Sequence, residues 1–316
     1  MSANVESSRP LPAVARRGLL LAGFGAVAFS GKAIIVKLAY RYGVDAVTLI
    51  MYRMLFALPM FLILAWWSGL GKPPLTWRDV RAVLGLGFCG YYLSSFLDFA
   101  GLRYISASLE RLILYLSPTL VLGLGAALFH RKVTRRQVVA LAVSYAGVSC
   151  VFGKELTLQG SNVPLGATLV FGSTVSYAVY LTYSGEEVKR LGALRLTGLA
   201  TSVACIICIA QFLVLRPLSA LSVAPQVLWL SALNATACTF APVLMVMMAM
   251  ELIGASLTAQ IGTIGPLSTI LMAVMLLGEP LTAWVAAGTV LVVAGIWLLT
   301  RPAPVSESYR RTGISM

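Results

Sequence analysis

The chain has 316 residues, of which 59% are hydrophobic and 11% are charged. A soluble domain usually has about a quarter charged residues and fewer than half apolar ones, so this composition excludes a soluble enzyme, a disordered chain and a disulfide scaffold. The mean hydropathy is +0.89, and 24 Lys and Arg against 11 Asp and Glu give a formal charge of +13. Because these charges are scattered between long apolar runs, they indicate a polytopic membrane protein rather than a nucleic-acid-binding one.

Ten apolar segments are long enough to cross a hydrocarbon layer about 30 Å thick, which takes roughly 20 residues per helix. They lie near residues 18–40, 46–68, 82–101, 106–129, 136–153, 164–184, 196–215, 226–250, 254–277 and 282–300. Short connections rich in glycine, proline and basic residues separate them. The sequence therefore predicts an all-α polytopic membrane protein with ten transmembrane helices, an N-terminal tail at 1–17 and a C-terminal tail at 301–316.

The first apolar segment follows Arg16 and Arg17, a pattern that also occurs in signal peptides. Because its apolar run continues to about Tyr40 and nine more segments follow, we interpret it as an uncleaved first helix. With the N-terminus in the cytoplasm, 16 Lys and Arg lie on the inner side and four in the outer loops. Positive charge accumulates on the cytoplasmic side of membrane proteins. This bias predicts a multi-pass protein of the inner membrane with both termini in the cytoplasm.

The chain resembles itself when it is shifted by 148 residues. Residues 105–109 (ISASL) then align with 253–257 (IGASL), and Pro118 aligns with Pro266 without a gap. A shared helix-breaking proline and a shared Ala-Ser-Leu string in one register indicate an internal duplication.

The duplication predicts a first repeat at 18–153, a linker at 154–163 and a second repeat at 164–300. Because each repeat has five helices, an odd number, the two repeats are expected to cross the membrane in opposite directions, as in many transporters. Proline and glycine weaken helices inside such repeats, although the same residues also shape ordinary packing. The predicted weak points are Pro118, Gly262, Gly265 and Pro266.

The end of each repeat carries a recurring motif of Ala-Ser, Pro, Leu-Gly-Glu-x-Leu-Thr and Gly. The second repeat has it as Ala255-Ser256, Pro266, Leu277-Gly278-Glu279-Pro280-Leu281-Thr282 and Gly295. The first repeat has it as Ala107-Ser108, Pro118, Thr134 and Gly147, with Arg131 in place of the glutamate. This arrangement resembles the drug/metabolite transporter superfamily, in its EamA-type branch, over nearly the whole chain. The resemblance implies transport of amino acids, other metabolites or drugs.

Ionisable side chains inside a bilayer are costly, so each one in an apolar segment is a candidate for function. Lys32 and Arg53 lie closest to the predicted midplane and are the main candidates for a substrate cavity. The alternative is a structural ion pair with Asp98 or Glu110. Four basic and two acidic side chains fall within the predicted spans, and this excess favours an anionic or zwitterionic substrate.

Uncharged polar side chains at depth are further candidates for substrate contact, although tyrosines also pack well between helices. Tyr177 and Asn234 are preferred because of their predicted depth. The secondary candidates are Tyr91, Asp98, Glu110, Tyr115, Tyr180 and Gln260. Glu279 is expected to order the last loop rather than to contact substrate.

The favoured function is a secondary active or facilitative transporter that exports a small, amino-acid-like metabolite by alternating access. The chain has no Walker motif, so ATP is not expected to drive it directly, and neither a cofactor nor a metal is expected. Proton coupling through Asp98 or Glu110 and simple exchange both remain open, as do a monomer and a homodimer. The alternatives are an integral membrane enzyme or a channel, but the chain has neither an HExxH nor a GxSxG motif.

Overall fold

The structure is a computed structural model, which describes residues 13–129, 134–159, 162–253, 258, 261–262 and 264–300. Regular structure in these residues is helical. The predicted C-terminal tail, most of the predicted N-terminal tail, part of the predicted ninth span and Gln260 lie outside the described residues.

The first half contains five helices. They are α1 (Ala13–Tyr40), α2 (Ala46–Gly69), α3 (Trp77–Leu102), α4 (Ala107–Leu114 and Ser117–Phe129) and α5 (Arg135–Gln159). Residues Gly87–Leu93 of α3 are π-helical. The two pieces of α4 are separated at Tyr115 and Leu116, and Pro118 is the second residue of the later piece.

The second half follows the same plan in the described part of the chain. Its helices are α6 (Val163–Leu191), α7 (Ala193–Leu215), α8 (Pro225–Ala235, Thr236–Phe240 and Ala241–Ile253), α9 (Ile264–Met272 and Ala273–Leu277) and α10 (Ala283–Thr300). Helices α1 to α8 are long and apolar enough to cross a membrane, and the described residues of α9 and α10 form shorter apolar helices. The middle piece of α8, Thr236–Phe240, is π-helical, and the 148-residue shift places it on the π-helical stretch of α3.

Local sequence explains several helix boundaries. Asp45 begins α2 by accepting hydrogen bonds from the backbone N–H groups of Val47 and Thr48, as an N-cap residue does. Gly192 alone joins α6 to α7 at a φ of 86°, a conformation that side chains with a Cβ rarely adopt. This connection reverses the chain within one residue.

The main helix contacts join the two halves. Helix α2 packs against α7, α5 against α10, α1 against α8, and α3 against α6. Helices α1 to α5 correspond in order to α6 to α10. If each helix is replaced by its equivalent in the other half, the same four pairs result. The contact pattern is therefore that of a two-fold pseudosymmetric molecule.

The two halves are inverted, because equivalent helices run antiparallel. Near the end of α2, the backbone of Ala65 lies against Gly198, near the start of α7. Near the start of α2, Tyr52 packs in one apolar cluster with Phe212, near the end of α7. The predicted fold class, an all-α membrane protein built from two inverted five-helix repeats, is confirmed.

Small residues hold α5 against α10. A Cβ added at Gly147 would lie 2.7 Å from the carbonyl oxygen of Gly288, and one at Gly288 would lie 2.6 Å from the carbonyl oxygen of Gly147. In a bilayer, lipid offers no hydrophobic driving force between helices, so close backbone packing of this kind contributes much of their association.

We expect Gly147→Leu to lower the free energy of unfolding by about 1–3 kcal/mol, because the new side chain overpacks the contact with α10. The measurement is chemical unfolding of the purified protein in detergent. Gly153→Leu on the same helix is the matched control, since a Cβ at Gly153 meets no atom within 4 Å. Equal destabilisation by both variants would contradict the packing described for this pair.

Candidate functional site

Three ionisable side chains from α1, α3 and α4 meet inside the bundle. Lys32 Nζ lies 2.5 Å from Asp98 Oδ2 and 3.6 Å from Glu110 Oε1. The side chains of Asp98 and Glu110 are 2% and 0% exposed. Within the described part of the chain, neither oxygen of Glu110 accepts a hydrogen bond. One lysine therefore faces two buried carboxylates.

Arg53 of α2 is buried near this cluster, with no acidic side chain within 4 Å among the described residues. Its Nε donates a hydrogen bond to Thr239 Oγ1 at 3.2 Å, and its guanidinium carbon lies 5.0 Å from the centre of the Phe99 ring. Its Nη1 is buried and has no hydrogen-bond partner in the described residues. Because a buried guanidinium is costly without an anion, Nη1 is suited to bind an anionic group.

Asn234 of α8 links the backbone of Lys32 to Thr239, the hydrogen-bond partner of Arg53. Its Nδ2 donates to the backbone carbonyl oxygen of Lys32 at 3.4 Å, and the backbone carbonyl oxygen of Asn234 accepts from Thr239 Oγ1 at 2.8 Å. The latter bond spans five residues, a spacing that the π-helical stretch of α8 allows. We call this connected group the polar chain. It consists of Lys32, Arg53, Asp98, Glu110, Asn234 and Thr239.

The charges of the polar chain all come from the first half. The 148-residue shift places Tyr180, Thr201, Val246 and Thr258 at the positions equivalent to Lys32, Arg53, Asp98 and Glu110. The second half contributes only the uncharged Asn234 and Thr239. The fold is therefore pseudosymmetric, whereas its polar groups are not.

Three of the four predicted tyrosines, Tyr91, Tyr177 and Tyr180, form a separate group between α3 and α6. The hydroxyl oxygens of Tyr91 and Tyr180 are 3.1 Å apart, and the rings of Tyr177 and Tyr180 stack with their centres 5.6 Å apart. By the same shift, Tyr91 is equivalent to Thr239. The tyrosine group is thus the uncharged counterpart of the polar chain, and the predicted pair of Tyr177 with Asn234 is divided between the two.

The remaining predicted residues lie where α1, α4 and α9 meet. Tyr115 donates a hydrogen bond to the carbonyl oxygen of Gly262 at 2.7 Å, and Ser30 donates to that of Gly265 at 2.8 Å. Arg111 Nη2 donates to Ser30 Oγ at 3.2 Å. Pro266 follows directly within α9. Hinge roles for these glycines and for the prolines of α4 and α9 stay predictions.

The Glu279 carboxylate caps the start of α4 from the other half of the molecule. It accepts hydrogen bonds from the backbone N–H groups of Ala107 (2.8 Å) and Ser108 (3.3 Å), and from Ser108 Oγ (2.8 Å). On the same turn, Glu155 of α5 accepts from the backbone N–H of Ser106 at 3.2 Å. The loop between α9 and α10 is thereby held against α4.

A second contact between connections of the two halves joins Asp45, before α2, to Arg216, after α7, at 3.0 Å. Burial opposes ionisation of Asp45, but hydrogen bonds from Thr48 and Arg216 outweigh it, so the pKa of this carboxyl lies below its usual value. This ion pair is partly exposed to solvent, and we expect it to contribute little to stability.

Other parts of the structure offer less to a polar ligand. A cavity of about 300 Å³ lies between α4, α5 and α6, and its lining is mostly apolar, including Ile113, Phe152 and Phe171. No group of three His, Cys, Asp or Glu side chains suitable for a metal ion occurs in the described ranges.

The EamA-like transporter family model matches the sequence twice, at residues 16–153 and 164–301. The chain belongs to the EamA-like transporter family. It is therefore a multi-pass membrane transporter, in agreement with the predicted resemblance and with the inverted helices.

Relatives of this EamA-like transporter carry transporter names as well. An uncharacterized transporter of Bacillus subtilis, YcbK, is 30% identical over 200 residues, which are 60% of this chain and 61% of the relative. An uncharacterized transporter of Archaeoglobus fulgidus is 28% identical over 40% of this chain and 44% of the relative. Both alignments span less than two thirds of the relatives' own length.

A solved crystal structure aligns with this EamA-like transporter at a TM-score of 0.61, over 94% of this chain and 99% of that chain. The two sequences are 16% identical, so this similarity concerns the fold alone.

We expect Glu279→Ala to lower the free energy of unfolding by about 0.5–2 kcal/mol, because it leaves the first N–H groups of α4 uncapped. Thermal unfolding of the purified protein measures the change. Glu187→Ala is the control. Among the described residues, Glu187 of α6 pairs with the partly exposed Arg190 on the same helix, so its loss should lower the free energy of unfolding less. The proposed cap is contradicted if the control destabilises the protein as much as Glu279→Ala.

Proposed function

We propose that this transporter moves a small amino-acid-like metabolite by alternating access of its two inverted halves. The observation that carries the proposal is Nη1 of Arg53, which is buried and has no hydrogen-bond partner among the described residues. It lies between α2 of the first half and Thr239 of the second, where relative movement of the halves would change the exposure of a bound molecule.

The polar chain suits a zwitterion. A carboxylate that reaches Arg53 Nη1 would form a charge-assisted hydrogen bond in surroundings from which water is largely excluded. At the other end of the chain, Asp98 Oδ1 is buried without a hydrogen-bond partner in the described residues. An ammonium group could donate to it. A molecule with both charges uses both ends, whereas a simple anion uses only Arg53.

The proposal also includes the direction of transport and the orientation of the protein in the membrane. The excess of Lys and Arg on one side supports an inner-membrane protein with both termini in the cytoplasm. Residues 18–153 and 164–300 would be the two moving units, and the substrate would be exported. A transporter function needs no reaction at the polar chain, so we do not propose an enzyme.

The test is a thermal-shift screen of the purified full-length protein with the twenty proteinogenic L-amino acids at millimolar concentration. Ligands that bind the folded state raise the unfolding temperature by linkage. At least one amino acid should stabilise the protein, and its C-terminal amide, which lacks the carboxylate, should not. Arg53→Gln should weaken binding by roughly 30-fold, because it removes a charge-assisted hydrogen bond worth about 2 kcal/mol.

Arg195→Gln is the matched control. Arg195 is a buried arginine of α7 that donates to the carbonyl oxygen of Pro73, away from the polar chain, so its loss should leave the ligand-induced shift unchanged. The proposal fails if none of the amino acids stabilises the wild type. It also fails if the amide stabilises equally or if Arg53→Gln responds like the wild type.

A further inference from the structure

We infer that Asp98 and Glu110 share one proton, and that the amino group of the substrate displaces it, which makes the transporter a proton/substrate antiporter. The antiport rests on the proposed function. The proton site itself rests only on the geometry of the carboxylates.

In the described part of the chain, Lys32 is the only cation within 4 Å of Asp98 or Glu110. One ammonium group lies 2.5 Å from Asp98 and 3.6 Å from Glu110, so two buried carboxylates face a single cation. Both carboxylates therefore lie within 4 Å of the same nitrogen atom. Two ionised carboxylates at this separation repel each other, and a buried pair of this kind usually binds one proton.

Unsatisfied atoms indicate where the proton lies. Both oxygens of Glu110 and Oδ1 of Asp98 are buried without hydrogen-bond partners among the described residues. A proton on Glu110 turns one of its oxygens into a donor, and Asp98 can accept that hydrogen bond while Oδ2 stays with Lys32. One proton thus removes a buried charge and satisfies atoms of both carboxylates.

Arg111 does not replace the proton, although it is the next residue after Glu110. Its Nη2 donates to Ser30, and its guanidinium carbon lies 5.3 Å from the centre of the Tyr115 ring. No ion pair within 4 Å joins Arg111 to Glu110 in the part of the chain that the structure describes.

At this end of the bundle, the helices α1 and α5 that pack against α4 carry two more cations, Lys37 and Lys154, and one more acid, Glu155. Lys37 of α1 faces Glu110, Glu155 and Glu279, without an ion pair to any of them among the described residues. Glu155 of α5 is bound to Ser106. The charged side chains of α6 lie beyond Ser184, at its far end, and the described residues of α9 and α10 carry none.

Displacement of the proton couples the two fluxes. When the substrate's ammonium group reaches the carboxylates, Glu110 releases its proton to water in the open passage, and the ammonium takes over the positive charge. After the substrate leaves, a proton from the side then open restores the neutral cluster before the halves return. One proton moves opposite to each substrate molecule, so proton entry into the cell would drive export.

The proton site is tested by infrared difference spectroscopy between acidic and alkaline pH on the purified full-length protein. The wild type should show the C=O band of a buried carboxylic acid that disappears on alkaline titration. Glu110→Gln should lack this band, and Glu110→Asp should shift it, because the acid moves by one methylene group. Glu187→Gln, at the far end of α6, is the control and should keep it. An unchanged band in Glu110→Gln or Glu110→Asp would overturn the proton site.

The coupling is tested by proton release in weakly buffered solution with a pH-indicator dye, on addition of the most stabilising amino acid from the screen. The wild type and Glu187→Gln should each release about one proton per bound amino acid, and Glu110→Gln should release none. Binding without release by the wild type, or equal release by Glu110→Gln, overturns the antiport. If no amino acid stabilises the protein, the proposed function fails, while the infrared result still decides the proton site.

Discussion

A charged side chain is tolerated inside a bilayer only where other groups compensate it, and this constraint organises the centre of the molecule. The first half brings two buried cations and two buried carboxylates into the bundle. Lys32 lies against Asp98 and Glu110, whereas the close partners of Arg53 among the described residues are a hydroxyl and an aromatic ring. The Arg53 guanidinium lies where the two halves meet.

Both halves have the same fold, but the buried charges of the polar chain come from the first half. These two facts have different physical causes. Packing depends on small residues and complementary helix surfaces, so a repeated sequence gives the same pairs twice, including the antiparallel contact of Gly147 with Gly288. A second set of buried charges would double the desolvation cost without a second substrate to bind. Tyr180 at the position equivalent to Lys32 keeps a polar, uncharged group there instead.

The sequence was sufficient for the architecture because hydropathy, helix count and the 148-residue register each act over many residues. The individual side-chain contacts were harder to predict from the sequence. Lys32 and Asp98 are separated by 66 positions, and only the rotation of α1 and α3 decides whether they meet. Thr239 was missed because a π-helical stretch, and not regular helical spacing, places it beside Asn234. Two serines in the apolar runs, Ser30 and Ser108, were the available signals for the contacts around α4.

The contacts of Glu279 show the same limit. Its place in a motif at the end of the second repeat indicated a structural role, but its partners are Ala107 and Ser108 of the first repeat. A motif read within one repeat does not reveal a contact across the pseudosymmetry axis. Such contacts between repeats hold the two halves in the arrangement that encloses the polar chain.

The most direct measurement is an experimentally determined structure of the full-length protein with the most stabilising amino acid bound. The account predicts the ligand's carboxylate within hydrogen-bonding distance of Arg53, with its ammonium group directed towards Asp98 and Glu110. A ligand whose carboxylate lies away from Arg53, for example among the tyrosines between α3 and α6 or in the apolar cavity between α4, α5 and α6, would contradict it.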